Sequence, residues 1–324
     1  MTIPDRLESA RADSEIVNVF PGGCITEWQG RSAMSIDPRE MGPKPPFPNQ
    51  EQTHPGTVKK LNPPADHGEA SYIGTDRLKG RAAIVTGGDS GIGRAVAIAF
   101  AKEGADVLLS YLPEEEPDAA EVVTVIEKVG RKAVKFPGDI RNPEYSQALV
   151  ATALREFGRL DIVVNNAGFQ MAHEQLKDVP LDEAKRTFDT NIFGTFALTQ
   201  ASLKELKSGA SILNTTSIQA YQPGENLVAY AATKAAVLSM TKSVAQLAME
   251  QGVRVNAVAP GPVWTPLIPS TMPPEKVTKF GENTVFKRPA QPVELAKLFV
   301  FLASDDASYV TGEVFGATGG RTPY

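Results

Sequence analysis

The stretch Arg81-Ala82-Ala83-Ile84-Val85-Thr86-Gly87-Gly88-Asp89-Ser90-Gly91-Ile92-Gly93 decides the fold. Its first six residues form a short apolar run ending in threonine, the composition of a buried strand. Glycines crowd the next seven positions. The sequence from Arg94 to Lys102 then reads as a helix, which Gly104 ends, and Asp106-Val107-Leu108-Leu109 reads as a second strand. Strand, glycine turn, helix and strand in this order make a βαβ unit.

Working outward towards the C-terminus, the alternation continues. Helices are expected over 118–129, 143–157, 181–206, 229–249 and 293–303, and strands over 133–136, 162–164, 211–214, 254–259 and 313–317. Near-continuous apolar strands separated by helices imply a parallel sheet covered on both faces. The predicted class is therefore α/β, a Rossmann-like doubly wound parallel sheet of about seven strands.

Towards the N-terminus the composition shifts near residue 78. The stretch from Pro21 to Pro64 is dense in proline, which removes backbone donors and resists both helix and sheet. Residues 1–78 are read as an extension with little regular structure, and residues 79–324 as the globular domain. Two readings of the extension stand: a disordered tail, or an arm wrapped on its own or a neighbouring subunit. Phe20, Trp28, Phe47 and Tyr72 favour the arm, because disordered tails carry few aromatics.

Composition excludes several classes of function. The net charge of −5 over 324 residues offers no basic footprint for nucleic acid. Cys24 is the single cysteine, so no intrachain disulfide forms, which fits a reducing compartment. The first residues lack the apolar core of a signal peptide, and no run reaches the roughly 18–20 apolar residues of a membrane span. A cytoplasmic location without membrane attachment is the expectation. His54 and His67 lack the close spacing of metal ligands, so no metal is expected.

A parallel doubly wound sheet binds ligands at the carboxyl ends of its strands. Glycines after the first strand let the backbone approach a pyrophosphate, and the next helix offers free N–H groups and a partial positive charge. Here three residues separate Gly87 from Gly91, a wider gap than in the common dinucleotide fingerprint. A tight strand-to-helix turn without a ligand is the plainer alternative. Gly88-Asp89-Ser90-Gly91 also looks like a hydrolase nucleophile loop. A nucleophilic serine needs a histidine base, and the chain has only His54, His67 and His173, two of them in the extension.

Several further motifs occur in order. Asn165-Asn166-Ala167-Gly168 follows the fourth strand, and Ser217 follows the fifth. Tyr230-Ala231-Ala232-Thr233-Lys234 lies on a helix, and Pro260-Gly261 follows the sixth strand. Together with Thr86–Gly93 these resemble the TGxxxGIG, NNAG, YxxxK and PG elements of the short-chain dehydrogenases/reductases, over about residues 79–320. The resemblance implies a nicotinamide-dependent oxidoreductase with Asn191, Ser217, Tyr230 and Lys234 as catalytic residues. It places the cofactor against Thr86, Gly87, Asp89, Ser90, Gly91, Ile92, Gly93, Ser110, Tyr111, Asp139, Ile140, Asn166, Ala167, Gly168, Tyr230, Lys234, Pro260, Gly261, Val263 and Thr265. Ile218-Gln219-Ala220-Tyr221-Gln222-Pro223 and the proline-rich extension resemble a bacterial subgroup that includes general-stress-type oxidoreductases and aldehyde reductases. One departure is Ala317-Thr318-Gly319-Gly320, where relatives often carry Asp before the paired glycines.

The chemistry supports these residue types independently. A free tyrosine, with a pKa near 10, is a poor base at neutral pH. Lys234 lies one helical turn after Tyr230 on the same face, and a nearby ammonium favours the tyrosinate. Ser217 supplies a hydroxyl to stabilise charge on a substrate oxygen. In this reading hydride moves to or from the cofactor and the protein supplies orientation and the proton. The resemblance adds that Lys234 holds the nicotinamide ribose and that Asn191 supports a water chain to it.

For the cofactor, NAD(H) or NADP(H), the second strand ends Ser110-Tyr111-Leu112, with neither the acid that binds a ribose 2′-hydroxyl nor the base that accepts a 2′-phosphate. Glu114-Glu115-Glu116 follows, and like charge tilts the expectation to NAD(H). Substrate-contact candidates are Gln219, Tyr221, Met171, His173 and Trp264. This mixed polar and aromatic set favours a small neutral carbonyl or alcohol. The family resemblance also implies a homotetramer. A silent nucleotide-binding sensor of the same fold is the alternative to an enzyme, although such proteins lose the Tyr or the Lys and both are present here.

Overall fold

The computed structural model describes residues 37–321. Phe20, Cys24 and Trp28 of the extension lie outside the described residues. Seven parallel strands run β1 (Ala82–Thr86), β2 (Asp106–Tyr111), β3 (Ala133–Pro137), β4 (Ile162–Asn165), β5 (Ser211–Thr215), β6 (Arg254–Pro260) and β7 (Val314–Ala317). Their order in the sheet is β3-β2-β1-β4-β5-β6-β7. The chain thus winds outward from β1 to β3, returns to the middle at β4 and winds the other way. That reversal opens a crevice between the carboxyl ends of β1 and β4, where doubly wound folds bind ligands.

Alternation along each strand builds two cores. Ala83 and Val85 of β1, Val107 and Leu109 of β2, and Ile162 and Val164 of β4 face one side. There they meet α1 (Gly91–Lys102), α2 (Glu116–Lys128) and α9 (Pro292–Ala303). Ile84, Leu108, Val163 and Ile212 face the other side. Their partners there are α3 (Pro143–Phe157), α5 (Thr195–Leu203) and α6 (Val228–Met249). The helix between β1 and β2 begins at Gly91 rather than Arg94. The last glycines of the turn, Gly91 and Gly93, therefore form the first turn of the helix.

The single helix expected over 181–206 is three pieces. α4 (Leu181–Phe188) passes into a π-helical turn, Asp189–Gly194, and then into α5. The wide turn sets Asn191 inward, where its carboxamide is fully engaged. Oδ1 accepts from the Phe169 N–H at 2.7 Å, while Nδ2 donates to Phe169 O at 2.9 Å and Thr233 Oγ1 at 2.9 Å. Such single turns recur at functional sites. Two short helices, α7 (Leu267–Thr271) and α8 (Pro274–Val277), follow β6.

Residues 37–78 lie against this body, with 3₁₀ turns at Pro38–Glu40 and Val58–Lys60. Phe47 stacks on Trp264, ring centroids 4.2 Å apart, and Leu61 joins them with Ile268 and Val277 in a third buried cluster. Trp264 Nε1 donates to Pro63 O at 2.7 Å. Among the described residues no helix is long and apolar enough to cross a membrane.

Candidate active site

A cleft of about 880 Å³ opens at the carboxyl ends of the central strands. Its floor is the glycine turn. Gly87 takes φ +61° and Gly91 φ +51°, values that favour glycine. A Cβ on Gly93 would sit 1.8 Å from Gly87 O, so the turn closes only with hydrogen there. Thr86 braces it from below. Its hydroxyl donates to Val164 O at 3.1 Å and accepts from the N–H groups of Asn166 and Ala167 at 2.9 and 3.0 Å. Asn166 Nδ2 reaches back to Thr86 O at 3.1 Å. The ends of β1 and β4 are thereby locked as one shelf.

Ser217, Tyr230 and Lys234 line the same cleft. Ser217 lies just beyond β5, and its Oγ accepts from the Gln219 N–H at 3.1 Å. Lys234 Nζ lies 5.5 Å from the Tyr230 ring centroid and donates to Thr215 O at 2.7 Å. Asn191 does not reach the cleft, being 1% exposed behind Phe169. Its hydrogen bond to Thr233, the neighbour of Lys234, makes it a positioning residue here.

The electrostatics differ from the expectation that Lys234 lowers the Tyr230 pKa. Burial pushes the phenol up to about 12, opposed by its bond with Ser217. Burial pushes the Lys234 ammonium down to about 8. Desolvation disfavours both charged forms and is the largest cause for each group. Burial thus favours the protonated phenol.

Most residues expected at the cofactor line the cleft: Gly87, Asp89, Ser90, Gly91, Ile92, Ser110, Tyr111, Asp139, Ile140, Asn166, Ala167, Gly168, Pro260, Gly261, Val263 and Thr265. Thr86 and Gly93 do not; they shape the turn from behind. Asp139 is paired with Arg141, whose Nε donates to it at 2.8 Å. The cleft end nearest Ser110 and Tyr111 is acidic. Asp89 is 1% exposed and neither carboxylate oxygen makes a hydrogen bond of normal geometry. Burial pushes its pKa up to about 6, with Asp118 adding to the rise and Ser90 and Arg94 offsetting part of it. Burial likewise raises Glu115 to about 8, and Asp89, Asp118 and Glu114 add to it. Arg94 does not neutralise this end, because it is held by Glu69 at 2.9 Å and Glu121 at 3.2 Å.

Of the substrate candidates, only Gln219 lines the cleft. Met171 and His173 lie in a separate small depression behind Tyr230, where His173 Nε2 is 2.6 Å from Glu183 Oε1. Tyr221 is not among the cleft-lining residues. Trp264 is fully buried in the cluster that seats Phe47, so its aromatic surface serves the arm and not a substrate. Sequence reasoning missed Phe169, Glu115, Arg141 and Arg186, all of which line the cleft, and His54-Pro55-Gly56 of the extension. It also missed Glu275, Lys276, Lys279 and Glu282 around α8, a lining of mixed sign. Only Glu115 left a signal, as part of the Glu114–Glu116 run.

The residues fit a dinucleotide. The glycine cradle admits close approach of an anion to backbone N–H groups, and the unpartnered carboxylate of Asp89 matches a hydroxyl-bearing ligand. Comparison with known proteins agrees with the geometry. Residues 87–322 match the family model described as Enoyl-(Acyl carrier protein) reductase. An uncharacterized oxidoreductase of Escherichia coli (strain K12), YghA, is 50% identical over 276 residues, covering 85% of this chain and 94% of its own. NADPH-dependent aldehyde reductase 1, chloroplastic, of Arabidopsis thaliana is 39% identical over 277 residues, covering 84% and 96%. A short chain dehydrogenase from Burkholderia cenocepacia J2315, solved in complex with NADP, superposes with a TM-score of 0.71 at 32% identity, over 76% of this chain and 99% of that one. The chain belongs to the short-chain dehydrogenase/reductase family and is an oxidoreductase. The tilt of the sequence towards NAD(H) finds no support in these relatives, one solved with NADP and one named for NADPH.

Proposed function

We propose that the protein interconverts a small neutral carbonyl compound, an aldehyde or ketone, and its alcohol by hydride transfer from or to a nicotinamide dinucleotide. The observation that carries this reading is the joint placement of Ser217, Tyr230 and Lys234 in the cleft that begins at the glycine turn. The cofactor supplies the hydride. The Ser217 hydroxyl, at the end of β5, is placed to donate to a substrate oxygen and steady the negative charge that grows there. Tyr230, kept protonated by burial, donates its proton to that oxygen during reduction. Lys234 keeps a cation beside the phenol ring, where it stabilises the tyrosinate left behind. Asn191 holds Phe169 and, through Thr233, the helix turn that carries Lys234. An aldehyde is favoured because the Arabidopsis relative is named an aldehyde reductase.

We read the cofactor form as dependent on protonation. Asp89 and Glu115 both have raised pKa values, so they are neutral below about 6 and both charged above about 8. Charged carboxylates repel a 2′-phosphate and accept hydrogen bonds from a 2′-hydroxyl. The test is cofactor oxidation at 340 nm with NADH and NADPH against aldehydes, ketones and sugars from pH 6 to 8. The expected result is reduction with both cofactors, with the kcat/KM ratio of NADPH to NADH falling several-fold as pH rises. Asp89→Asn should flatten that dependence. A ratio that stays constant in the parent protein counts against the acidic pair.

The family expectation of assembly also has a surface to rest on. Phe188, Phe193 and Phe196, from α4, the π-turn and α5, are all exposed, as are Val228, Leu247 and Met249 of α6. An apolar face of this kind marks an association site. Light scattering should give the mass of a tetramer, and a stable monomer would count against the proposal.

A further inference from the structure

The extension does more than cover Trp264. Between Gln52 and Val58 it touches α7, the residue after the Asn165–Gly168 element, the loop after β6 and α2. The Gln52 N–H donates to Pro269 O at 2.9 Å, on α7. The His54 ring stands edge-on to Phe169, centroids 5.0 Å apart, and Phe169 is the residue that Asn191 holds after the Asn165–Gly168 element. Gly56 is pressed against the loop after β6, where a Cβ would fall 2.5 Å from Pro266 O. Two residues on, the Val58 N–H donates to Asp118 Oδ2 at 2.8 Å, in the first turn of α2. The segment is held from inside as well, since the Thr57 N–H donates to Gln52 Oε1 at 2.8 Å. His54, Pro55 and Gly56 themselves line the cleft.

We propose that residues 52–58 are a strap across the dinucleotide cleft, that His54 and Gly56 belong to the cofactor-binding wall, and that bound cofactor leaves only when the strap lifts. The proposal rests on the nucleotide-binding reading of the cleft. A segment tied to the end of β4, to the β6–α7 loop and to α2 bridges the crevice from one half of the sheet to the other. Any ligand lying along the strand ends passes beneath it. Burial pushes His54 down to about 4, with Arg186 nearby adding to the fall, so the imidazole facing the cleft is neutral and can donate or accept a hydrogen bond. The Burkholderia match covers 76% of this chain, whereas the Escherichia coli match covers 85%, over 276 residues, more than residues 79–324 contain.

Hydrogen exchange on the unaltered protein with and without NADPH, and again with NADH, tests this first. Exchange in a peptide covering 50–60 should slow on cofactor binding together with that in a peptide covering 86–94. Protection of 86–94 without any change at 50–60 overturns the strap and leaves the nucleotide reading intact. Protection of neither with either cofactor overturns both. The second measurement is cofactor release, followed by nicotinamide fluorescence after a chase. Gly56→Ala forces a methyl group into Pro266 and should speed release by about tenfold or more, and His54→Ala should speed it by a smaller factor. Release rates within twofold of the parent for both variants overturn the proposal.

Discussion

Replacing Tyr230 by Phe is expected to lower kcat by about 10²- to 10⁴-fold while cofactor affinity stays within about twofold. The change removes one oxygen and keeps the ring on which the Lys234 ammonium sits, 5.5 Å from its centroid. The Lys234 bond to Thr215 O does not involve the phenol, so the helix face that carries the site should keep its geometry. What disappears is the phenol, the proton donor of the proposed reduction. Turnover should fail at every pH between 6 and 9, because Phe offers no group to titrate. Calorimetry with NADPH would show whether binding persists. A variant keeping more than about a tenth of parental kcat would remove Tyr230 from the proton-transfer role. It would point to Ser217 with a bound water as the donor.

The residues of that site were legible because their signals are local. A glycine turn after an apolar strand, and a Tyr and a Lys one helical turn apart, are read from a few neighbouring positions. The same holds for the strands, whose residues alternate between two cores. What escaped depends on contacts distant in sequence. Trp264 follows Pro260-Gly261, where substrate loops begin, and nothing nearby shows that Phe47, more than two hundred residues earlier, stacks on it. Gly56 sits among prolines and reads as loop until Pro266 is seen against it. Periodicity over 181–206 suits one helix, and a π-turn of six residues leaves the axis continuous enough to hide in it. The raised pKa of Tyr230 was missed for a related reason. Spacing shows that an ammonium is near, and only the fold shows how the pair is seated in the cleft wall.

Glu103→Ala is expected to destabilise the protein by about 3–5 kcal/mol, the range for removing one partner of a buried ion pair. Glu103 caps the carboxyl end of α1 and is fully buried. It accepts from the Tyr72 hydroxyl at 2.5 Å, from the N–H groups of Thr75 and Arg77 at 2.8 and 3.0 Å, and from Arg77 Nη2 at 2.8 Å. Beside it, Lys102 Nζ donates to three arm carbonyls, Gly68, Glu69 and Tyr72, at 2.8–2.9 Å. The pair buckles the last turn of the arm to the helix that begins at the glycine turn. Burial alone would raise the Glu103 pKa, but the bonds from Arg77, Tyr72 and Thr75 outweigh it and hold the carboxyl at about 2, against an ordinary 4.5. A carboxylate with a depressed folded-state pKa stabilises the fold above its unfolded value. That contribution is complete above about 4.5 and drains away as pH falls towards 2. Denaturant melts at pH 7 and pH 3.5 should therefore show the variant's deficit shrinking in acid. A deficit below about 1 kcal/mol at pH 7 would mean that the bonds only repay the cost of burying the charge. A full deficit would show that the arm is anchored at α1 as well as at Trp264, so that a strap between these two anchors can lift and reseat without the extension coming away.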